Sequence, residues 1–467
     1  MDGMKRRFKQ IGGIDHHVTI ERERQPRRES NKRQIKISGL ACLLSSVAVI
    51  TNVGLNGRKH KTRTVSVSYR PPSNVSNELL ATFENVMSSA NLSLPPGFEA
   101  YVPIILENGN ILCRNSHKGN ILNARIHSFI ELLKAGMEME SNDAVANNDV
   151  TQSIPIILIE SDASGCLHGH HPQLAKWLRL NPRLESRYSI HDHADQASFP
   201  RLTWHTPAPK YGTGWCKAIG MTGYESASML KEKCDSWFFK CSWDQTFKYH
   251  ESKYPWHSKI DRAVWRGSTT GWQHLPFNEL PRAKLVKMSM DRPDIIDAGF
   301  TSFVQGWKWR KLMNQTIAAN VIPFEDLMKY RAIIDIDGNA WSSRFTKLLC
   351  TNSVVIKIDP DYIEYFYANL HPMLDYVPAS LQNLTEVIEY VLDKKNEHQM
   401  KSIVDSANSW CKRTITKEQL ANDAMSQLRK YETALFDTYD RSWEAEWISV
   451  RERIMSNIGD DLVDCSK

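Results

Sequence analysis

Two arginines set in small-residue loops are the side chains whose type and spacing best suit anion chemistry. Arg266 lies at the junction of an apolar run and a Gly, Ser and Thr loop in AVWRGSTTGW, Ala263–Trp272. Arg344 follows Gly338, Asn339, Ser342 and Ser343 in YRAIIDIDGNAWSSRFTKLLCTNSVVIK, Tyr330–Lys357. A guanidinium is a permanent cation whose fork matches two phosphate oxygens, and small residues such as Gly267 and Ser268 let the backbone approach closely. Together these residues suit a diphosphate. A third candidate, Asp162, follows the apolar IPIILIE, Ile154–Glu160, at the carboxyl end of a predicted strand. Open α/β sheets bind ligands at such ends, and an Asp there can take a proton from a hydroxyl, although it is also an ordinary turn residue.

The elements that must carry these groups follow from hydrophobic spacing. Ile333, Ile334 and Ile336 predict a buried strand, Gly338 and Asn339 a turn, and Val354, Val355 and Ile356 a second strand. Between them Trp341, Phe345, Leu348 and Leu349 recur at i, i+4, i+7 and i+8, which predicts a helix that starts near Ser342 and Ser343 and carries Arg344 and Lys347 together on another face. Its open N–H groups and dipole would add to the anion site. Helices are also expected over Leu79–Met87, Ala124–Met139 and Glu325–Tyr330, and as two long runs, Leu384–Trp410 and Lys417 to about Met455. The fold class is α/β. Phe199–Trp256 has no assignable period.

Metal chemistry is not favoured. His168, His170 and His171, and His191, Asp192, His193 and Asp195, form clusters without the helical pairing or paired-Cys spacing of known zinc sites. Asp335 and Asp337 make an Asp-x-Asp pair on one strand face, which resembles a metal-ligand motif and equally an ordinary strand end.

Composition bounds the partners. Residues 1–36 hold eleven Lys or Arg against five acids, which equals the whole net charge of +6. The rest is balanced, which argues against a nucleic-acid footprint. The uncharged stretch Ile37–Gly57 follows directly and fits a signal anchor, a cleaved signal or a buried helix; the anchor reading puts the basic tail in the cytosol and the body in a lumen. Sequons at Asn74, Asn91, Asn314 and Asn383 agree with that compartment. Apart from Cys42 there are eight cysteines, an even number compatible with disulfides, though Cys350 on the apolar side of the predicted helix reads as a buried thiol.

The order WRGSTTG, PDIIDAGFTSF, YRAIIDIDGNAWSSRFTKLLCTNSVVIK and EYFYANLHPMLDYVPASLQNLTEVIEYV resembles the CAP10-like glycosyltransferases, family 90, over about 154–435. The resemblance implies a GT-B fold of two Rossmann-like domains facing a cleft. With the tail (1–36), anchor (37–57) and stem (58–100) that charge and composition set ahead of that fold, the chain is expected to divide further into an acceptor-side domain (101–262), a nucleotide-sugar domain (263–440) and a C-terminal helix and tail (441–467). The same resemblance implies an inverting, metal-independent transfer of glucose or xylose from UDP-glucose or UDP-xylose to a hydroxyl of a protein or polysaccharide, without a cofactor, in the Golgi or endoplasmic reticulum behind a type II anchor. Carried over by motif, Arg266, Gly267, Ser268, Gly338, Asn339, Ser342, Ser343 and Arg344 bind the donor, and Asp162 is the catalytic base. The chain departs from the family pattern after Asp162, where Ala163, Ser164 and Gly165 stand in place of an early Pro. A non-catalytic sugar- or protein-binding relative and a metal-dependent transferase are the competing readings.

Overall fold

The structure is a computed structural model that describes residues 101–114, 124–143, 153–159, 201–203, 206–208, 218–231, 236, 238–271, 275–304, 319–438 and 442–465, with Leu80, Phe83, Glu84 and Met87. The expected anchor, Asp162, both histidine clusters and, apart from the buried Leu80, Phe83 and Met87 and their neighbour Glu84, the expected stem lie outside the described residues. No helix among the described residues is long and apolar enough to cross a membrane.

The chain first builds a six-stranded mixed sheet. Strands β1 (Tyr101–Glu107) and β2 (Asn110–Arg114) form a hairpin. Its two turn residues, Asn108 and Gly109, take φ of 49° and 73°, the left-handed pair that matches strand twist. Helix α1 (Ala124–Asp143) leads to β3 (Ile154–Ile159), then β4 (Arg201–Thr203), β5 (Thr206–Pro207), β6 (Ala218–Gly220) and helix α2 (Tyr224–Lys231). The unassigned Phe199–Trp256 region thus contributes short strands, α2 and then α3 (Trp243–Lys253), whose lengths are too small to show a period.

The second sheet is parallel throughout. It comprises β7 (Ile260–Ser268), followed by α4 (Pro281–Asp291) and β8 (Ile296–Ser302), then β9 (Tyr330–Asp335), α5 (Phe345–Leu349) and β10 (Val354–Ile358). After a two-residue strand β11 (Tyr362–Ile363), which pairs with β5, β12 (Val377–Ala379) completes it. Both faces are buried. Ile333 and Val355 pack in one core with Phe345 and Leu348, while Ala332, Ile334 and Ile356 pack in a second core with Leu285, Val286 and Ile388. That is why these strands read as unbroken apolar runs. Counted along the chain, the five strands lie in the order 2-1-3-4-5, so the chain moves from β7 outward to β8 and then returns past β7 to β9. The crevice at the carboxyl ends of β7 and β9 is the topological switch point, where doubly wound sheets bind ligands.

The two predicted C-terminal helical runs are each broken. The first divides into α6 (Leu384–Leu392) and α7 (Glu397–Thr414) because the Asp393 side chain accepts from the Lys395 N–H and starts a separate 3-10 turn. The second divides into α8 (Lys417–Thr438) and α9 (Ser442–Ile458). Helix α8 packs tightly on α1, where a Cβ at Gly136 would collide with the Met425 side chain. Beyond α9, β13 (Leu462–Asp464) pairs with β2 at the edge of the first sheet.

Cys350 is not a free thiol. It is bonded to Cys411, tying the end of α5 to α7, while Cys113–Cys465 fastens β2 to the residue after β13, and Cys241 is disulfide-bonded as well. The Cys350–Cys411 bond closes a separation of 61 residues in the unfolded chain. The double variant Cys350→Ser, Cys411→Ser should therefore lose about 2–4 kcal/mol in urea unfolding, with the secondary structure retained at low denaturant.

Candidate anion-binding site at the switch point

A cavity of about 290 Å³ opens at the carboxyl ends of β7 and β9. The structure brings seven of the predicted residues to its wall: Gly267 and Ser268 from the first loop, and Gly338, Asn339, Ser342, Ser343 and Arg344 from the second. The two loops are laced together, since the Gly271 N–H donates to Asn339 Oδ1 at 3.0 Å. Each glycine has a steric reason. A Cβ on Gly267 would lie 2.5 Å from the Trp265 ring, and one on Gly338 would lie 3.1 Å from Arg282 Nη2 and 3.2 Å from Thr270 Oγ1.

Arg266 behaves differently from its expectation. Its guanidinium turns away from the cavity, donates to Asp297 Oδ1 at 2.7 Å and to the carbonyls of Trp265, Asp297 and Asn320, and does not line the wall. Tyr330 Oη braces the same carboxylate at 2.6 Å. What Arg266 offers the site is its carbonyl, which accepts from Arg344 Nη1 at 2.6 Å.

The second cavity guanidinium belongs to Arg282, which the sequence reading missed. It is 8% exposed on α4 and clasps both loops, donating to the carbonyls of Ser268, Ile336 and Asp337 and to the Thr270 hydroxyl. Burial first, and then the neighbouring charge of Arg344, pull it down to about 10, so it stays cationic at neutral pH. Burial likewise lowers Arg344. Among the described residues neither guanidinium has a carboxylate in hydrogen-bond contact, and Arg344 makes a single hydrogen bond. A signal for Arg282 was present in the sequence: it heads the stripe Arg282, Leu285, Val286 on the buried face of α4, where a charge needs a reason.

The helix after the loop is shorter than its periodicity implied. Only Phe345–Leu349 is helical, and Trp341 precedes it. Ser342 is fixed instead by donating to Asp335 Oδ1 at 2.5 Å. Five residues align few peptide dipoles, so the side-chain cations carry the field of this site. Lys347 parts company with Arg344, its ammonium sitting 4.4 Å from the Phe238 ring centre and 5.3 Å from that of Phe324.

Asp335 and Asp337 share a cation already. Lys357 Nζ on β10 lies 2.8 Å from Asp335 Oδ2 and 2.7 Å from Asp337 Oδ1, in the position between two carboxylates that a divalent ion takes in an Asp-x-Asp site. No group of His, Cys, Asp and Glu among the described residues is arranged to hold a metal. Two carboxylates on one ammonium leave a surplus negative charge. Burial, with Asp335 and Asp361 adding to it against the pull of Lys357, raises Asp337 from 3.8 to about 6. A carboxyl raised in the folded state stabilises the fold at low pH. That contribution is complete below about pH 4 and is lost as pH rises through 6. Asp337→Asn should remove this segment of the pH-stability curve, read by urea midpoints taken at steps from pH 4 to pH 7.

Comparison with known proteins places these motifs. The profile of Glycosyl transferase family 90 matches residues 241–459, later at both ends than the stretch over which the motifs were traced. Human protein O-glucosyltransferase 3 is 28% identical over 177 residues, 38% of this chain and 32% of that protein. Mouse protein O-glucosyltransferase 1 is 31% identical over 142 residues, 30% and 34% of the two chains. The Drosophila melanogaster O-glucosyltransferase rumi is 31% identical over 160 residues, 33% and 37%. The matched region spans about a third of each of these relatives. The resemblance to glycosyltransferase family 90 therefore holds over residues 241–459, the part of the chain that contains both loops, Arg282 and the switch point.

Proposed function

We propose that this chain is a UDP-sugar-dependent glycosyltransferase of GT-B architecture. It moves glucose or xylose, with inversion and without a metal, to a hydroxyl of a protein or polysaccharide. One observation carries the reading: two guanidiniums, the buried Arg282 and the half-buried Arg344, without a contacting carboxylate among the described residues, face one cavity at the switch point of a parallel sheet. Cations withdrawn from bulk water in that state suit an anionic ligand, and loops of Gly and Ser leave room for a diphosphate. The relatives' names favour glucose and a protein acceptor. Disulfides favour an oxidising, secretory compartment, which agrees with a type II anchor at 37–57 and a Golgi or endoplasmic reticulum body.

In this reaction Asp162 accepts the proton of the acceptor hydroxyl, whose oxygen forms the new bond to the anomeric carbon. The bond from that carbon to the β-phosphate oxygen breaks, and its electron pair passes to the phosphate. Arg282 and Arg344 meet the charge that develops there, the task a divalent ion performs in metal-dependent transferases. Arg266, held by Asp297, positions Arg344 through its carbonyl. The test is to incubate the full chain in EDTA with a panel of UDP-sugars and follow UDP release. The expected result is turnover of UDP-glucose or UDP-xylose above the other donors; release only after a divalent ion is added, or from no donor, contradicts it.

A further inference from the structure

Two hydroxyls share the cavity wall with the arginines, Ser268 at the end of β7 and Thr270 two residues further along the same loop. Arg282 Nη1 donates to Thr270 Oγ1, and that oxygen lies 3.2 Å from Ser268 Oγ, within hydrogen-bond distance. A guanidinium has hydrogens to give and no lone pair to receive one, so toward Arg282 the Thr270 oxygen is an acceptor and its own hydrogen points elsewhere. The two hydroxyls therefore hold two hydrogens and one contact between them. One hydrogen fills that contact, and the other is left over, on Ser268 if Thr270 donates and on Thr270 if Ser268 donates. Neither hydroxyl makes a further hydrogen bond among the described residues. The space beside Thr270 is kept by Gly338, where a Cβ would lie 3.2 Å from the hydroxyl oxygen.

From this we infer that Thr270 is a ligand-binding residue of the diphosphate site, forming with Ser268 a hydroxyl pair that gives one hydrogen to a phosphate oxygen. The inference rests on the proposed UDP-sugar reading and adds to it a residue and a kind of contact. Accepting from a guanidinium polarises the Thr270 hydroxyl, and the polarisation passes along the pair, so the hydrogen left over is a stronger donor than that of an isolated hydroxyl. The contact carries no charge of its own. Arg282 and Arg344 attract a diphosphate through a field that salt screens, whereas a hydroxyl touching a phosphate oxygen acts at hydrogen-bond distance and is screened little.

Calorimetric titration of the full chain with UDP, at low and at high salt, for wild type, Thr270→Val and Thr270→Ser, tests this. Valine keeps the branched shape without the hydroxyl, and serine keeps the hydroxyl. The expected result is a loss of about tenfold or more in UDP affinity for Thr270→Val, the same in both salts to within about twofold, and an affinity for Thr270→Ser within about threefold of wild type. Unchanged UDP affinity in Thr270→Val overturns the inference and leaves the donor reading standing. A loss in Thr270→Val that shrinks as salt is raised also overturns it, since the missing contact is then a displaced Arg282 charge rather than a hydroxyl. So does an equal loss in Thr270→Ser, which retains the hydroxyl. If wild type binds no UDP, the donor reading falls and takes this inference with it.

Discussion

Arg344→Ala should reduce sugar transfer by about 10²–10³-fold while leaving the fold intact, because a donor aimed at charge that appears only in the transition state is worth about 3–4 kcal/mol. The fold is spared for a structural reason. The Arg344 side chain makes one hydrogen bond among the described residues, to the Arg266 carbonyl, so its removal should cost no more than about 1 kcal/mol of stability. Arg344→Lys keeps a charge but loses the planar fork, and should recover part of the rate. Arg282→Ala is the less clean probe. Its guanidinium clasps three carbonyls and Thr270, so the variant combines lost charge with unlaced loops. Initial rates at saturating donor, set beside urea midpoints for each variant, separate the two effects.

Lys357→Met should destabilise the chain by about 3–5 kcal/mol, the scale of removing one member of a buried ion cluster. Lys357 is 1% exposed, and without its ammonium Asp335, fully buried, and Asp337 stand as adjacent carboxylates with no counter-ion contact among the described residues. Asp335 also accepts from Ser342, so the loop that carries Arg344 should loosen with it. The triple variant Lys357→Met, Asp335→Asn, Asp337→Asn removes the unpaired charges and should regain most of the loss. Urea unfolding of the single and triple variants measures both outcomes. A single variant within about 1 kcal/mol of wild type would mean that the cluster does not stabilise the fold.

The segment Tyr330–Lys357 shows how far the sequence carried. Its strands were legible because both faces of a parallel strand are buried, so Ile333, Ile334, Val354, Val355 and Ile356 form unbroken apolar runs. The loop between them was legible as a site because Gly338, Ser342, Ser343 and Arg344 are small or charged where a strand ends. The length of α5 was not legible. Trp341 satisfies helical spacing with Phe345, yet a hydrogen bond from Ser342 to Asp335 holds the intervening residues in a turn. Periodicity sees which residues are buried, not which backbone buries them.

Long-range partners were beyond reach for a related reason. Arg266 lies in a motif as suggestive as that of Arg344, but its direction is decided by Asp297 on the adjacent strand β8, and nothing in AVWRGSTTGW encodes that acid. Arg282 and Arg125 reach the cavity from helices outside both loops, brought there by the packing of α4 and α1. Cys350 met Cys411 for the same reason, since spacing along the chain does not fix disulfide connectivity. Asp162, the proposed base, lies outside the described residues.

On the proposed function, the cavity between β7 and β9 binds a nucleotide diphosphate through arginines and without a metal. The most direct test is titration of UDP into the full chain in EDTA, followed by calorimetry, with wild type beside Arg344→Ala. The expected result is one saturable site in wild type and a loss of affinity of about tenfold or more in the variant. Binding that requires a divalent ion, or that is the same in both proteins, would contradict it.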